Sequence, residues 1–402
     1  MLGRWKERFP FFVNSSYATA SAGSAGLLLI LLALAARYLS PDDYGRFRFA
    51  LALTSILETI MDIGLGHVTV RAVARNKADA GPFFRNILGL KLVWVGVGLA
   101  LLGIVTPMLR SDPIVIRVCY LMGLSSAVRS YLVTTRGLLQ GLDRFDTEAW
   151  LVVSDRVLLL LAGSAALVSG YGLMGLVLAF VAARTLVLAG VIVLLRTLLG
   201  SIAPTFDRAA WRELQAAAIP LGLFMIVLNT YSYIDTVILG VMRSDAEVGR
   251  YGAAYSVYEG LTYVPSVLAA VLTPRLSELF TRDRQGHRRL LGRVLSITAL
   301  LGVVLGAAAM WTAPLILETI FGAAYLPGSA SLQILAAGSV FVFCTWILHA
   351  AAISTNLDRR LLVTTAVGLS TNVALNLALI PRWGINGAAA ATVIAEGLTA
   401  VL

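Results

Sequence analysis

The chain has 402 residues, of which 58% are hydrophobic and 13% are charged, and its mean hydropathy is +0.83. Soluble domains carry about 25% charged residues, so this composition excludes a soluble protein and favours one that crosses a membrane many times. The net charge of +10 indicates attraction to anionic lipids, because no soluble domain is predicted that would bind nucleic acid.

Twelve apolar segments are long enough to cross about 30 Å of hydrocarbon, which takes about 20 helical residues. They lack the alternating pattern of membrane β-strands. The sequence therefore predicts an all-α polytopic membrane protein. The predicted spans cover residues 16–36, 47–66, 87–108, 114–134, 149–168, 173–195, 213–240, 251–272, 290–310, 329–350, 361–380 and 385–402.

The first 15 residues combine basic and aromatic side chains and lack a small-residue cleavage site before the first span. They predict an interfacial lead-in to that span. Cys119 and Cys344 lie within apolar segments and are interpreted as small buried side chains, with no disulfide or metal site. No cofactor is predicted.

Basic residues accumulate on the cytoplasmic side of membrane proteins. With the N-terminus inside, twenty of the 32 basic residues fall in cytoplasmic segments and eight, including Arg48, on the opposite side. The remaining four, Lys91, Arg129, Arg156 and Arg184, fall within predicted spans. We therefore predict a cytoplasmic N-terminus.

The sequence resembles itself at a long period. A shift of 204 residues aligns Gly45 with Gly249 and Arg71 with Arg275, and a shift of 212 aligns Arg184 with Glu396. Six spans separate equivalent positions, which predicts two lobes in parallel orientation around a central cavity, an arrangement found in transporters. We predict an N-lobe at 1–196, a cytoplasmic linker at 197–212 and a C-lobe at 213–402.

Five short motifs occur in order along this repeat: ARYLSPDDYGR at 36–46, DIGLG at 62–66, IDTVILG at 234–240, VGRYGAA at 248–254 and GINGAAAAT at 384–392. With them the chain resembles the Wzx-type polysaccharide flippases of the multidrug/oligosaccharidyl-lipid/polysaccharide exporter superfamily. The resemblance implies translocation of undecaprenyl-pyrophosphate-linked oligosaccharide to the outer leaflet of the bacterial or archaeal cytoplasmic membrane. It also implies membrane lipids, a coupling proton or sodium ion and a polysaccharide polymerase as partners.

A pyrophosphate needs charge-assisted hydrogen bonds to cross hydrocarbon, and arginine supplies them in bidentate form. We interpret four residues of the N-lobe as its ligands: Arg184, Arg156, Arg129 and Lys91. Lys91 and Arg129 could instead extend to the inner headgroups, Arg156 could pair with an acid such as Glu148, and Arg184 could pair with Glu396. Arg184 is the most informative of the four because it lies near mid-membrane.

Other residues have predicted roles with structural alternatives. Arg71 and Arg275 could flank a cytoplasmic portal or simply follow the charge rule. Glu58 and Asp62 share a helix face, so with Asp235 and Glu396 they are candidates for ion coupling; capping or packing is the alternative. Tyr255 and Tyr258, in a stripe with Tyr251, could stack sugars, or could be packing residues.

Four other functions compare with this one as follows. A multidrug exporter of the same superfamily would carry cations, and four buried bases argue against it. A lipid II flippase has related chemistry, but the span from Ala18 to Ala36 lacks charge. An enzyme would need larger loops than the sequence offers, so we expect no catalysis. A passive scramblase would differ from a transporter in its independence of a gradient.

Overall fold

The structure, a computed structural model, describes residues 23–355 and 357–402. These residues form helices and short connections, and the predicted all-α class is confirmed. The predicted interfacial lead-in at 1–15 lies outside the described residues. The helices are α1 (Ala25–Tyr38), α2 (Pro41–Asp62), α3 (Leu65–Arg75), α4 (Ala80–Leu109), α5 (Pro113–Gly141), α6 (Phe145–Val168), α7 (Gly172–Leu199), α8 (Arg208–Met242), α9 (Asp245–Arg282), α10 (Arg284–Ile316), α11 (Ser329–Ala337), α12 (Ser339–Ser354) and α13 (Asp358–Val401), with a π-turn at Leu317–Phe321 and a 3₁₀ turn at Ala323–Gly328 before α11.

Within the described ranges, seven helical stretches are long and apolar enough to cross a membrane, and a bent pair, Ala323–Ala337 with Ser339–Ser354, makes an eighth. Helices α5 and α9 are longer than a span requires, at 29 and 38 residues, but are not apolar enough to be among these stretches. Helix α13 bends at Gly384, where φ is 53°, close to the predicted boundary between the last two spans. With α1, these helices account for the twelve predicted spans.

The second predicted span is broken between α2 and α3. Ile63 has φ 44° and Gly64 has φ 81°, and a positive φ is unfavourable for a β-branched residue. A Cβ added to Gly64 would lie 2.9 Å from the carbonyl oxygen of Ala218, so this position needs glycine for space as well as for its backbone conformation. The break lies directly after Asp62.

The chain divides into two compact units. Unit 1 holds the described residues up to Tyr38 together with Leu53–Ile226, and unit 2 holds Leu39–Ala52 together with Val227–Leu402. Helices α2 and α8 therefore each contribute to both units. The predicted lobe boundaries do not anticipate that α2 and α8 are each shared by two units. The sequence repeat shows which segments are equivalent, but it does not show against which helices each segment packs.

The predicted linker at 197–212 is shorter in the structure, since α7 continues to Leu199 and α8 begins at Arg208. The connection is attached to α4 by hydrogen bonds. The amide of Thr205 donates to the carbonyl of Arg85 at 3.1 Å, its hydroxyl donates to Asn86 Oδ1 at 2.6 Å, and Trp211 Nε1 donates to the Asn86 carbonyl at 3.2 Å.

Two glycines that the repeat makes equivalent, Gly45 and Gly249, lie against each other within unit 2. A Cβ added to Gly45 would lie 2.9 Å from the amide nitrogen of Gly249, and one added to Gly249 would lie 3.1 Å from the nitrogen of Gly45. Arg46 Nε, in the same turn, forms an ion pair with Asp245 Oδ2 at 3.1 Å. The start of α2 thus packs on the start of α9, and the absence of side chains at both glycines permits it.

Candidate functional site

Arg184, on α7, is buried in unit 1 with 3% of its surface exposed. Its Nη1 donates to Ser125 Oγ at 2.9 Å, and its guanidinium lies over the Phe180 ring, 5.5 Å from the centroid. Its Nε is 4.0 Å from Asp155 Oδ1, and neither atom has a hydrogen-bond partner in the described part of the chain. The guanidinium is therefore positioned on one side and has an unused donor on another.

Two further arginines lie near Arg184. Arg129 and Arg156 are close enough to interact with it electrostatically, as are Asp155 and Glu58. Arg129 Nη1 forms an ion pair with Glu58 Oε2 at 3.2 Å. Helices α2, α5, α6 and α7 thus bring three of the four predicted pyrophosphate ligands together, and two carboxylates lie with them. We call Arg129, Arg156 and Arg184 the arginine cluster.

Lys91, the fourth predicted ligand, has a different environment. Its side chain is fully buried and forms an ion pair with Asp62, so the alternative that it extends to the headgroups is wrong. Asp62 Oδ1 also accepts from Thr134 Oγ1 at 3.1 Å, and Oδ2 accepts weakly from the Gly66 amide at 3.4 Å. The pair holds the start of α3, just after the helix break, against α4 and α5.

Glu148 does not provide the partner suggested for Arg156. It forms an ion pair with Arg136 Nε at 2.7 Å. In the sequence, Arg136 was counted among the cytoplasmic basic residues. Glu148 follows it by 12 positions on the next helix, and no sequence pattern predicts a pair at that spacing.

Arg71 lines a cavity of about 360 Å³ in unit 1, together with Arg75, Asn86 and Glu213. Its repeat mate, Arg275, is exposed and forms an ion pair with Glu278 at 2.6 Å. The predicted span at 251–272 would end just before Arg275, but α9 continues past this residue to Arg282. The structure therefore gives the two arginines unlike surroundings, and their portal role stays a prediction.

Asp235 is buried in unit 2, with 1% exposed, and is well supplied with donors. Its Oδ1 accepts from the Thr236 amide at 2.6 Å, and its Oδ2 accepts from the Tyr251 hydroxyl and from Thr392 Oγ1 at 3.4 Å. Tyr251, the first member of the predicted tyrosine stripe, thus binds this carboxylate. Hydrogen bonding to the ionised form stabilises a buried carboxylate without a direct ion pair.

Tyr255, Tyr258 and Glu396 line one cavity of about 330 Å³ in unit 2, together with Tyr231, Glu259 and Trp346. The structure therefore brings two predicted sugar-binding tyrosines and a predicted coupling acid to one place. The Tyr255 hydroxyl donates to the Ser232 carbonyl at 3.1 Å. The hydroxyl of Tyr258 and the Oε2 of Glu396 have no hydrogen-bond partner among the described residues. We call this space the tyrosine cavity.

Arg48 is a residue that the sequence interpretation assigned wrongly. We expected it at the outer surface, but only 4% of it is exposed. Its Nη1 donates to Ser256 Oγ at 3.0 Å, and its charge interacts with Tyr44 and Glu259. Helix α2 thus contributes a buried base to unit 2.

In the described ranges, no group of three or more His, Cys, Asp or Glu side chains is placed to hold a metal ion. Several buried ionisable groups lie in the arginine cluster, the Lys91–Asp62 pair, the Asp235 network and the tyrosine cavity, and Arg48 and Glu148 are buried outside them. Such groups within membrane helices are expensive and typically mark transport paths. The fold and these groups define a multi-pass helical membrane protein of the transporter type.

Comparison with solved structures agrees with this class. An inward-facing multidrug resistance MATE family transporter of the MOP superfamily matches with a TM-score of 0.76 and 14% identity, covering 93% of this chain and 92% of the other. The lipid II flippase MurJ in an inward closed conformation matches with a TM-score of 0.78 and 14% identity, covering 96% and 86%. The chain thus has the fold of this superfamily.

A family described as polysaccharide biosynthesis protein matches residues 14–280. The chain belongs to this family, which confirms the predicted resemblance at the level of the family.

Relatives by sequence are more distant. The chain is similar to the probable flippase AglR of Haloferax volcanii, with 29% identity over 43% of this chain and 37% of that protein. It is also similar to the probable low-salt glycan biosynthesis flippase Agl15 of the same organism, with 22% identity over 95% and 80%. An uncharacterized Mycobacterium tuberculosis protein, Rv1510, matches with 29% identity over 61% and 56%. The first of these matches spans well under half of its relative.

Proposed function

We propose that the protein is a flippase that carries undecaprenyl-pyrophosphate-linked oligosaccharide from the inner to the outer leaflet of the cytoplasmic membrane, for cell-surface polysaccharides such as O-antigen. The observation that carries this proposal is the arginine cluster, in which Arg129 and Arg156 lie close to the buried Arg184. The family and the flippases AglR and Agl15 support it. The N-terminus is proposed to be cytoplasmic.

The arginine cluster suits a pyrophosphate for three reasons. Arg184 is desolvated, so its attraction to an anion is stronger than in water. Its Nε donor lies unused beside Asp155, and Arg129 and Arg156 add charge close by. A guanidinium donates in a planar fork that matches phosphate oxygens. The cluster would thus replace water around the headgroup while the lipid tail stays in the bilayer.

The acids near the cluster limit its charge. Lys91 is neutralised by Asp62, and Glu58 pairs with Arg129, so Arg184, whose Nε has no hydrogen-bond partner among the described residues, is the member of the cluster best placed to receive a further anion. The proposed site therefore consists mainly of the arginine cluster, and Lys91 is proposed to support it by fixing α3 and α4. Cargo binding near Arg129 would compete with Glu58 for the same guanidinium.

Ion coupling is proposed for the carboxylates of unit 2. Glu58 and Asp62 already have cationic partners, which reduces their capacity to take a further cation. Asp235 accepts hydrogen bonds from neutral donors, and Glu396 has an oxygen without a partner among the described residues. Alternating access driven by a proton or sodium ion at these carboxylates is therefore the proposed mechanism.

A cation exporter is the second candidate. The tyrosine cavity is lined by aromatic rings and by Glu259 and Glu396, and none of its described lining residues is Lys or Arg. Aromatic faces and carboxylates attract organic cations. This observation keeps the exporter as an alternative, although it leaves the arginine cluster without a purpose.

A transport assay in proteoliposomes tests the proposal. A fluorescent disaccharide on undecaprenyl pyrophosphate should move between leaflets faster with the protein than without it, and tetraphenylphosphonium should not accumulate. Arg184→Ala should abolish the lipid movement. Arg117→Ala, which removes an equal charge from the exposed start of α5, is the matched control and should retain it. Transport of the cation alone would overturn the proposal in favour of the exporter.

A gradient test follows in the same vesicles. Transport that rises with an imposed proton or sodium gradient supports coupling. Equal rates in both directions, with no response to either gradient, would identify a passive scramblase.

A further inference from the structure

The tyrosine cavity contains an unusual number of buried polar atoms that lack hydrogen-bond partners. Across the described residues, the atoms concerned include the hydroxyls of Tyr231, Tyr258 and Thr345 and the Oε2 of Glu396, and all four residues line this one cavity. Tyr258 is 3% exposed, Thr345 7% and Glu396 8%. Buried polar groups are almost always hydrogen-bonded, so a cluster of exceptions around a cavity needs a reason.

The remaining hydroxyls around the cavity are already used. Each of five donates to a main-chain carbonyl three or four residues earlier in its own helix; these are Ser232, Thr262, Ser266, Thr365 and Thr399. The unpaired atoms are therefore not a general feature of hydroxyls in this bundle. The tyrosine hydroxyls are too far from their own helix to reach one of its carbonyls, whereas Thr345 does not make the bond that the other threonines make. All of these residues line the cavity, where a ligand would supply the missing partners.

Charge restricts what this ligand can be. Two carboxylates line the cavity, Glu259 and Glu396, and no lining residue that the structure describes is Lys or Arg. The Tyr231 hydroxyl is directed at the Glu396 carboxyl, although the geometry falls short of a full hydrogen bond. Tyr258 and Thr345 are therefore the hydroxyls that most need a ligand. Glu259 interacts with the charge of Arg48, so the charge argument rests on Glu396. A phosphate or a carboxylate placed beside Glu396 would meet like charge in a poorly hydrated site. The cavity is thus unsuited to the headgroup that the arginine cluster fits.

Hydrogen-bond chemistry separates the ligands that remain. An organic cation without hydroxyls could lie against the aromatic rings, but it would leave three hydroxyl groups and a carboxylate oxygen unsatisfied. A sugar ring offers both donors and acceptors around its edge, and its C–H face can stack on an aromatic side chain such as Trp346. The volume of about 330 Å³ lies at the lower end of small-ligand sites, about 300 to 1,000 Å³.

We propose that the tyrosine cavity binds one uncharged sugar ring of the glycan cargo and rejects acidic sugars, with Tyr231, Tyr258 and Thr345 donating or accepting at ring hydroxyls and Glu396 accepting from one. This inference rests on the proposed function, because the ring belongs to the lipid-linked cargo. It adds a specificity: cargoes that present a uronic acid at this position are excluded, whereas the pyrophosphate end imposes no choice of sugar.

Binding of matched sugars to the purified full chain in nanodiscs tests this inference. The probes are the methyl glycosides of glucose, galactose and mannose and of the three corresponding uronic acids, which differ by oxidation at C6 alone. Saturation-transfer NMR reports binding at millimolar concentration. At least one uncharged glycoside should bind, and its uronate should not.

Two variants connect this binding to the cavity. Tyr258→Phe should weaken the uncharged glycoside at least about fivefold, the usual cost of one hydrogen bond. Tyr325→Phe is the matched control, because its hydroxyl is also buried and unpaired but lies outside the cavity lining, and it should bind as the parent does. Glu396→Gln keeps the shape and removes the charge, and should admit the uronate.

Three results would overturn the inference: binding of the uronate equal to that of its uncharged partner, equal losses in Tyr258→Phe and Tyr325→Phe, or binding of tetraphenylphosphonium with no glycoside bound. Failure here differs from failure of the proposed function. Lost sugar selectivity with intact lipid movement removes only the cavity's role, whereas sugar binding without lipid movement leaves the cavity and removes the flippase.

Discussion

In unit 1 the buried carboxylates of Glu58 and Asp62 each hold a cation, whereas in unit 2 the Oε2 of Glu396 faces a cavity without a hydrogen-bond partner among the described residues. Unit 1 contains several buried charges, and most of them form ion pairs with one another. Unit 2 contains buried hydroxyls and carboxylates around the tyrosine cavity, and several of these atoms have no hydrogen-bond partner among the described residues. A duplicated fold can thus present two different chemistries, and the proposed cargo, an anionic lipid headgroup joined to a sugar chain, needs both.

The first prediction concerns the buried ion pair between Lys91 and Asp62. Removing either charge, by Lys91→Met or Asp62→Asn, leaves the other buried without its counter-ion, which costs about 3 to 5 kcal/mol. Thermal unfolding of the purified protein should show this loss. The double variant Lys91→Met with Asp62→Leu should recover much of the stability, since both charges are gone. Single variants as stable as the parent would show that the pair does not hold the helix break in place.

The second prediction concerns the geometry of Arg184. Arg184→Lys keeps the charge but loses the planar fork. Loss of a buried charged hydrogen bond costs about 2 to 5 kcal/mol, so transport by the Lys variant should fall by about 30-fold or more. The initial rate of lipid movement in proteoliposomes measures this. A Lys variant as active as the parent would reduce the role of Arg184 to charge alone, and a fully active Arg184→Ala would remove it from the site.

The third prediction tests the repeat-equivalent pair, Arg184 and Glu396. We expect each single neutralisation to destabilise the protein and the swap Arg184→Glu with Glu396→Arg to recover folding, with an interaction energy of about 0.5 to 3 kcal/mol if the two meet in one conformational state. Transport should stay absent in the swap, because the positive charge is then in the wrong half of the chain. Stability defects that simply add would show that the residues do not meet. Restored transport would make Arg184 a structural partner.

The smallest effect should separate two neighbouring tyrosines. The Tyr255 hydroxyl donates to the Ser232 carbonyl, so Tyr255→Phe should lower the free energy of unfolding by about 0.5 to 1.5 kcal/mol. The Tyr258 hydroxyl has no partner among the described residues, so Tyr258→Phe should leave stability unchanged or slightly raised. Chemical denaturation in detergent measures both. A larger loss for Tyr258→Phe would mean that its hydroxyl is already satisfied, and the cavity would lose its main support.

Much of the fold was predictable because membrane spans depend on hydropathy over about 20 residues. The position of Asp235, Glu396, Tyr255 and Tyr258 in one unit also followed from helix order. Pairing was harder to predict. Lys91 was interpreted as a pyrophosphate ligand, with the inner headgroups as the alternative, but it forms an ion pair with Asp62, 29 positions earlier in the chain. Hydropathy alone carries no information on such a contact.

Arg48 shows a second limit. It lies at the start of the predicted span 47–66 and was counted at the outer side of the membrane, yet α2 begins at Pro41 and takes Arg48 into unit 2. The close contact of Gly45 with Gly249 places it there, and a repeat alignment reveals equivalence without revealing contact. The break at Ile63 and Gly64 was equally hidden within an apolar span. A single glycine in such a span is compatible with a continuous helix.

The arginine cluster is proposed to bind the pyrophosphate of the cargo lipid. The most direct test measures the affinity of undecaprenyl pyrophosphate, without any sugar, for the purified parent protein and for the variants Arg184→Ala and Arg117→Ala. The account predicts that Arg184→Ala weakens binding at least about tenfold, a difference of about 1.4 kcal/mol, and that Arg117→Ala binds as the parent does. Equal affinity in all three proteins would contradict the account.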